Sequence, residues 1–172
     1  MGPVLQESLG AGLGPRATGS TRAMTMLDAN LASLQLGPTT SRTVRRAEPG
    51  PRVEVRLDGA PIVRAGSRIL GAPVSHAELL AQLGSVDEDT VVLVFGLGAG
   101  QVPRTVATMC RAPVIVIEPD LQVLRSVLSF GPLGMGDVPI VSGLAELAWV
   151  WRHFRGRMVN VILIVIDGYR VV

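Results

Sequence analysis

Polar and apolar positions divide the chain into a first half of short, one-sided patterns and a second half of continuous apolar runs. In TRAMTMLDANLASLQLG, Met24, Leu27, Leu31 and Leu34 recur at helical spacing, and Gly37-Pro38 marks a stop. Residues 38–51 (PTTSRTVRRAEPGP) carry few apolar positions and read as a polar linker. RVEVRL alternates Val53, Val55 and Leu57 with charged residues, and Asp58-Gly59 and Pro61-Ile62-Val63 follow. That pattern predicts a small hairpin with one wet face. Ser75 and Glu78 have capping-box spacing, which predicts a helix through ELLAQL closing at Gly84.

From Val91 the period changes. Four apolar runs, Val91–Phe95, Val114–Glu118, Val138–Val141 and Val159–Asp167, alternate with helical patterns near Val102–Arg111, Leu121–Phe130 and Gly143–Phe154. Strands that lack a polar face are expected where helices cover both sides of a parallel sheet. The predicted fold class is therefore α/β: a Rossmann-like parallel half-sheet, βαβαβαβ, preceded by a helix and a small hairpin. The expected organisation is a flexible tail over 1–20, a helix and linker over 21–51, a hairpin and capped helix over 52–90, and the βα core over 91–172. Because the last predicted strand lies at the end of the sequence, the reading stays open between a minimal half-sheet and one domain of a longer protein.

The densest chemistry lies where the first core strand ends. VVLVFGLGAG runs into Gly96, Gly98 and Gly100, and the next strand, VIVIEPD, ends on Glu118. Nucleotide-binding units use this order: glycines admit a ligand to the backbone, the following helix offers free N–H groups, and an acid accepts ribose hydroxyls. Gly96, Gly98, Gly100 and Glu118 are the candidate cofactor-binding residues, with Glu118 expected at an exposed strand tip. The cofactor itself is unknown. A dinucleotide fingerprint wants its third glycine where Gln101 stands, so the spacing leans toward S-adenosylmethionine. Against a methyltransferase, Val141-Ser142-Gly143 offers no acid after the third strand to hold adenine. The alternative for the glycines is a tight strand-to-helix turn that needs small residues.

Other polar residues have plain readings. Asp120 is placed to cap the helix LQVLRSVL, Ser142 to cap the next one, and Asp167-Gly168 to form a turn. Arg104 lies in the first turn after the glycines, where it could meet a phosphate or carboxylate, but surface exposure without a ligand is the favoured reading. Trp149, Trp151, His153 and Phe154 read as a helix face packed on the sheet, and Arg45-Arg46 as solvated charges. No catalytic residue is assigned: Glu118, Asp120 and Asp167 have no nucleophile with a base partner beside them. His76, His153 and Cys110 do not form a recognisable metal set, so no metal is expected.

Composition narrows the classes. The 172 residues are 48% hydrophobic and 17% charged, which excludes a disordered chain. A formal net charge of +2 is too small to argue for nucleic acid as a partner. No apolar run reaches the roughly 18 residues of a membrane span, so no membrane insertion is expected. The N-terminal residues lack the basic start and apolar core of a signal peptide, and Gln6 stands where myristoylation requires Ser or Thr. A single cysteine, Cys110, suits a cytoplasmic location.

Taken in order, LDANLASLQ, VEVRLDGAPIV, GSRILGAPVSHAELLAQL, VLVFGLGAGQVPRTV, VIVIEPDLQVLRSVL and IVIDGYR resemble the N-terminal domain of the motility-associated factor (Maf) proteins, a bacterial family linked to flagellin glycosylation. The resemblance covers roughly residues 24–170. The chain departs from the family at Gly100-Gln101-Val102, where a Gly-Tyr-His-like sequence is usual, and at Gly71-Ala72-Pro73-Val74, where Ser-x-Tyr-x-Pro is common. The resemblance implies an accessory Rossmann-like domain, not catalytic alone, with a glycosyltransferase domain or flagellin as partners.

Overall fold

The structure is a computed structural model that describes residues 24–151 and 160–169. The tail expected over residues 1–20 lies outside the described residues, as do His153 and Phe154. Helix α1 (Met26–Ser33) starts at a capping box in which Thr25 and Asp28 exchange bonds. Helix α2 (Pro38–Val44) occupies what the sequence presents as linker. The expected stop at Gly37-Pro38 is instead a start: α1 already ends at Ser33 with Leu34 as its C-cap, Gly37 is the N-cap of α2, and Pro38 takes the first helical turn, where its missing N–H costs nothing.

Strands β1 (Arg52–Val55) and β2 (Pro61–Ala65) pair antiparallel, with Val53 opposite Val63. A third strand, β3 (Arg68–Leu70), adds to β2, so the expected hairpin is a three-stranded sheet. Helix α3 (His76–Leu83) has the predicted Ser75–Glu78 capping box and buries Leu79 and Leu83. It ends at Gly84, whose φ of +57° favours glycine.

The core is a four-stranded parallel sheet in the order β6-β5-β4-β7. Its strands are β4 (Thr90–Phe95), β5 (Val114–Ile117), β6 (Ile140–Val141) and β7 (Asn160–Val165). Helices α4 (Gln101–Met109), α5 (Leu121–Phe130) and α6 (Leu144–Trp151) connect them. The third strand is shorter than its predicted Val138–Val141 span, because Val138 and Pro139 belong to the preceding loop.

Alternation along β4 and β5 splits the apolar interior in two. Val92, Val94, Val114 and Val116 pack with α4 and α5, whereas Val91, Ile115, Ile117 and Val141 pack against Val150 of α6. Each such side chain contributes about 1.5–3 kcal/mol of burial, which explains why both faces are apolar. Strand β7 departs from that expectation. It lies at the sheet edge, and Val161 and Leu163 remain 52% and 58% exposed. No helix among the described residues is long and apolar enough to cross a membrane.

Candidate functional site

The parallel register places the glycine turn after β4 beside the end of β5. Gly96, Gly98 and Gly100 all have left-handed backbone, with φ of +97°, +51° and +81°, a conformation costly for other residues. Gly96 N–H still continues the ladder by donating to the Ile117 carbonyl at 2.8 Å. The sequence thus marked the turn correctly, and the structure brings all four candidate residues together. What fills the space around them is protein.

A Cβ on Gly96 would come within 2.5 Å of the Tyr169 ring. On Gly98 it would meet Gly71 Cα at 2.9 Å, and on Gly100 the Leu133 side chain at 2.5 Å. Three separate segments therefore close on the turn: the residue after β3, the loop after α5, and the segment after β7. Asn30 of α1 fastens the second of these. It donates to the carbonyls of Leu128 (2.7 Å) and Gly131 (2.8 Å) and accepts from Leu133 N–H at 3.2 Å.

Glu118 is not the exposed strand-tip acid the pattern suggests; it is fully buried. Its carboxylate accepts from Leu97 N–H at 2.8 Å, from Asp120 N–H at 2.9 Å and from the Tyr169 hydroxyl. The same hydroxyl accepts from Gly98 N–H at 3.4 Å. The phenol therefore bridges a glycine-loop N–H and the acid, the two groups that a nucleotide ligand would engage. Burial raises the Glu118 pKa to about 7, against the opposing pull of the donated hydrogen bonds. Burial and the neighbouring Glu118 charge push the Tyr169 phenol up, so it stays protonated and keeps donating.

The remaining candidates are dispersed. Asp120 caps α5 by accepting from Gln122 N–H (2.9 Å) and Val123 N–H (3.2 Å). Asp167 is exposed in a turn with Gly168, and its carbonyl accepts from Gly71 N–H at 3.0 Å. Arg104 is exposed on the first turn of α4, and His76 is exposed at the start of α3. Trp149 is half-buried against the sheet. Among the described residues there is no group of three or more His, Cys, Asp or Glu placed to hold a metal.

Sequence reasoning missed a second buried acid. Glu146 of α6 accepts from Thr39 N–H (2.7 Å), Thr40 N–H (3.1 Å) and the Thr40 hydroxyl at the start of α2. It also accepts from Ser142 N–H and Oγ, both at 3.2 Å, so Ser142 supports Glu146. Burial opposes its charge, yet the bonds led by Thr40 hold its pKa below the usual carboxylate range. The missed signal was Pro38 itself, a residue favoured in a first helical turn whose free N–H groups need an acceptor.

Comparisons with protein-family models, with curated proteins and with solved structures gave no match.

Proposed function

We propose that this chain is a Rossmann-like accessory domain, non-catalytic by itself, whose glycine turn is a closed structural joint. The strand order β6-β5-β4-β7 supports the fold half of this reading. Numbered along the core it runs 3-2-1-4, the start of the doubly wound order, with glycines after the first strand and an acid after the second. The observation that carries the functional half is the Tyr169 hydroxyl between Gly98 N–H and Glu118. A bound nucleoside would have to break both contacts and displace a ring packed on Gly96.

The Maf-like segments supply the context: the domain would support glycan transfer to flagellin by a glycosyltransferase partner. An S-adenosylmethionine methyltransferase is less well supported, because the acid that would hold ribose is buried with its acceptors occupied. A pure interaction module shares the closed joint and differs only in its partner.

Two assays test the proposal. Purified chain is incubated with nucleotide sugars plus flagellin, and separately with S-adenosylmethionine plus cell extract. Calorimetry is run with S-adenosylmethionine, NAD and nucleotide sugars. The expected result is no turnover and no binding at the glycine turn. Turnover in either assay that is lost in a folded Glu118→Ala variant would overturn the reading. Turnover in the second assay alone would establish the methyltransferase alternative.

A further inference from the structure

The glycine turn is closed, whereas the described residues leave a cavity at the opposite end of the sheet. A cavity of about 470 Å³ lies beneath the starts of β5 and β6, where Val114 and Pro139 line it. Its volume is in the range of small-molecule sites. Met135, Val138 and the indole of Trp149 give it an apolar wall. Two charged residues share that lining: Arg111, which follows α4, and Asp137, in the loop before β6. Both are exposed, and neither belongs to an ion pair among the described residues. A cation and an anion that border one cavity without neutralising each other can each take a ligand charge.

We propose that this cavity binds a small zwitterion with an apolar body: a free α-amino acid with a large hydrophobic side chain. The carboxylate pairs with the planar guanidinium of Arg111, a geometry that favours two parallel hydrogen bonds. The ammonium pairs with Asp137. The apolar body leaves water against Trp149, Met135 and Val138. Binding is non-covalent. The neighbouring Cys110 thiol donates to the Val106 carbonyl at 3.3 Å, and burial pushes its pKa up, so it offers no thiolate. This inference uses none of the glycine-turn residues and stands apart from the accessory-domain reading.

The test uses the full chain carrying Trp151→Phe, so that emission reports on Trp149. L-Phenylalanine is titrated and calorimetry is run in parallel, to detect binding that leaves the emission unchanged. Three comparison probes each lack one feature: N-acetyl-phenylalanine the ammonium, phenethylamine the carboxylate, glycine the apolar body. A ligand of this size should bind with a dissociation constant on the order of 0.1–1 mM. Each comparison probe should bind about tenfold more weakly or worse, and Arg111→Ala and Asp137→Ala should each cost L-phenylalanine about tenfold. In Arg111→Ala, phenethylamine and L-phenylalanine should become equivalent, an outcome that mere loss of packing would not give. Absence of saturable binding up to about 10 mM overturns the proposal, since that concentration exceeds the expected constant at least tenfold. Unchanged affinity in both charge variants, or phenethylamine matching L-phenylalanine in the unsubstituted cavity, also overturns it.

Discussion

The Tyr169 hydroxyl donates to Glu118 while accepting from Gly98 N–H at 3.4 Å. One phenol thus satisfies a buried acid and a buried backbone donor that lie on two different core strands' exits. The Tyr169 ring also meets Phe95 edge-on, with centroids 6.3 Å apart. Ring packing holds the hydroxyl in position, and the hydroxyl in turn compensates the cost of burying the carboxyl.

Removing only that oxygen tests the relationship. Tyr169→Phe keeps the ring against Gly96 but leaves Gly98 N–H without its acceptor and Glu118 short of one donor. The expected loss of unfolding free energy is about 1–3 kcal/mol, the cost of an unmade buried hydrogen bond. Chemical denaturation of the two proteins measures it. An unchanged midpoint would mean water replaces the phenol without cost, and the joint is not closed.

Acid and base should act oppositely on the two buried acids. Glu118 has a folded pKa of about 7, raised above the ordinary 4.5. Its carboxyl therefore favours the folded state most below about pH 4.5, and this advantage is lost as pH rises through about 7. The difference corresponds to about 3 kcal/mol. Glu146 has a lowered pKa, so its contribution is present above the ordinary 4.5 and is lost on further acidification. Glu118→Gln should flatten the stability profile between pH 5 and 8 relative to the unsubstituted chain. Parallel profiles for the two proteins would show that Glu118 does not titrate in that window.

Much of the core was legible because its signals are local. The runs of β4 and β5, the caps Ser75 and Asp120, and the left-handed turn at Gly96–Gly100 each follow from a few adjacent residues. The rest depends on contacts between distant segments. Glu118 reads as an exposed strand tip until Tyr169, 51 positions away, is seen to cover it. Helix α2 reads as linker because PTTSRTV buries only Thr40 and Val44, and its free N–H groups are satisfied by Glu146, 106 positions from Thr40. Strand β3 escaped notice because three residues, Arg68–Leu70, are too short to establish a period.

The Glu146 cap yields a prediction of its own. Glu146→Ala removes the acceptor of two α2 backbone N–H groups and of the Thr40 hydroxyl. A loss of about 1–3 kcal/mol is expected, with local opening of α2 preceding global unfolding. Hydrogen exchange at Thr39 and Thr40 reads the local step directly. Exchange that stays as slow as in the unsubstituted chain would mean another group caps the helix.

Gly98 distinguishes a packing role from a ligand role most directly. Its backbone φ of +51° is unfavourable for a side chain, and a Cβ there would lie 2.9 Å from Gly71 Cα and 3.2 Å from the Leu70 carbonyl oxygen. These neighbours are backbone atoms of the segment leaving β3, so they cannot rotate away. Gly98→Val must therefore push the small sheet off the glycine turn or distort the turn itself. Overpacking of this kind typically costs about 1–3 kcal/mol, and the left-handed backbone adds about 1–2 kcal/mol. If the turn is a joint, Gly98→Val lowers the unfolding free energy by several kcal/mol and has no ligand phenotype to lose. If the turn also cradles a nucleotide, the unsubstituted chain binds S-adenosylmethionine, NAD or a nucleotide sugar, and the same substitution abolishes that binding. Denaturation and calorimetry on one preparation separate the two outcomes. Near-native stability with lost binding would sink the closed-joint account.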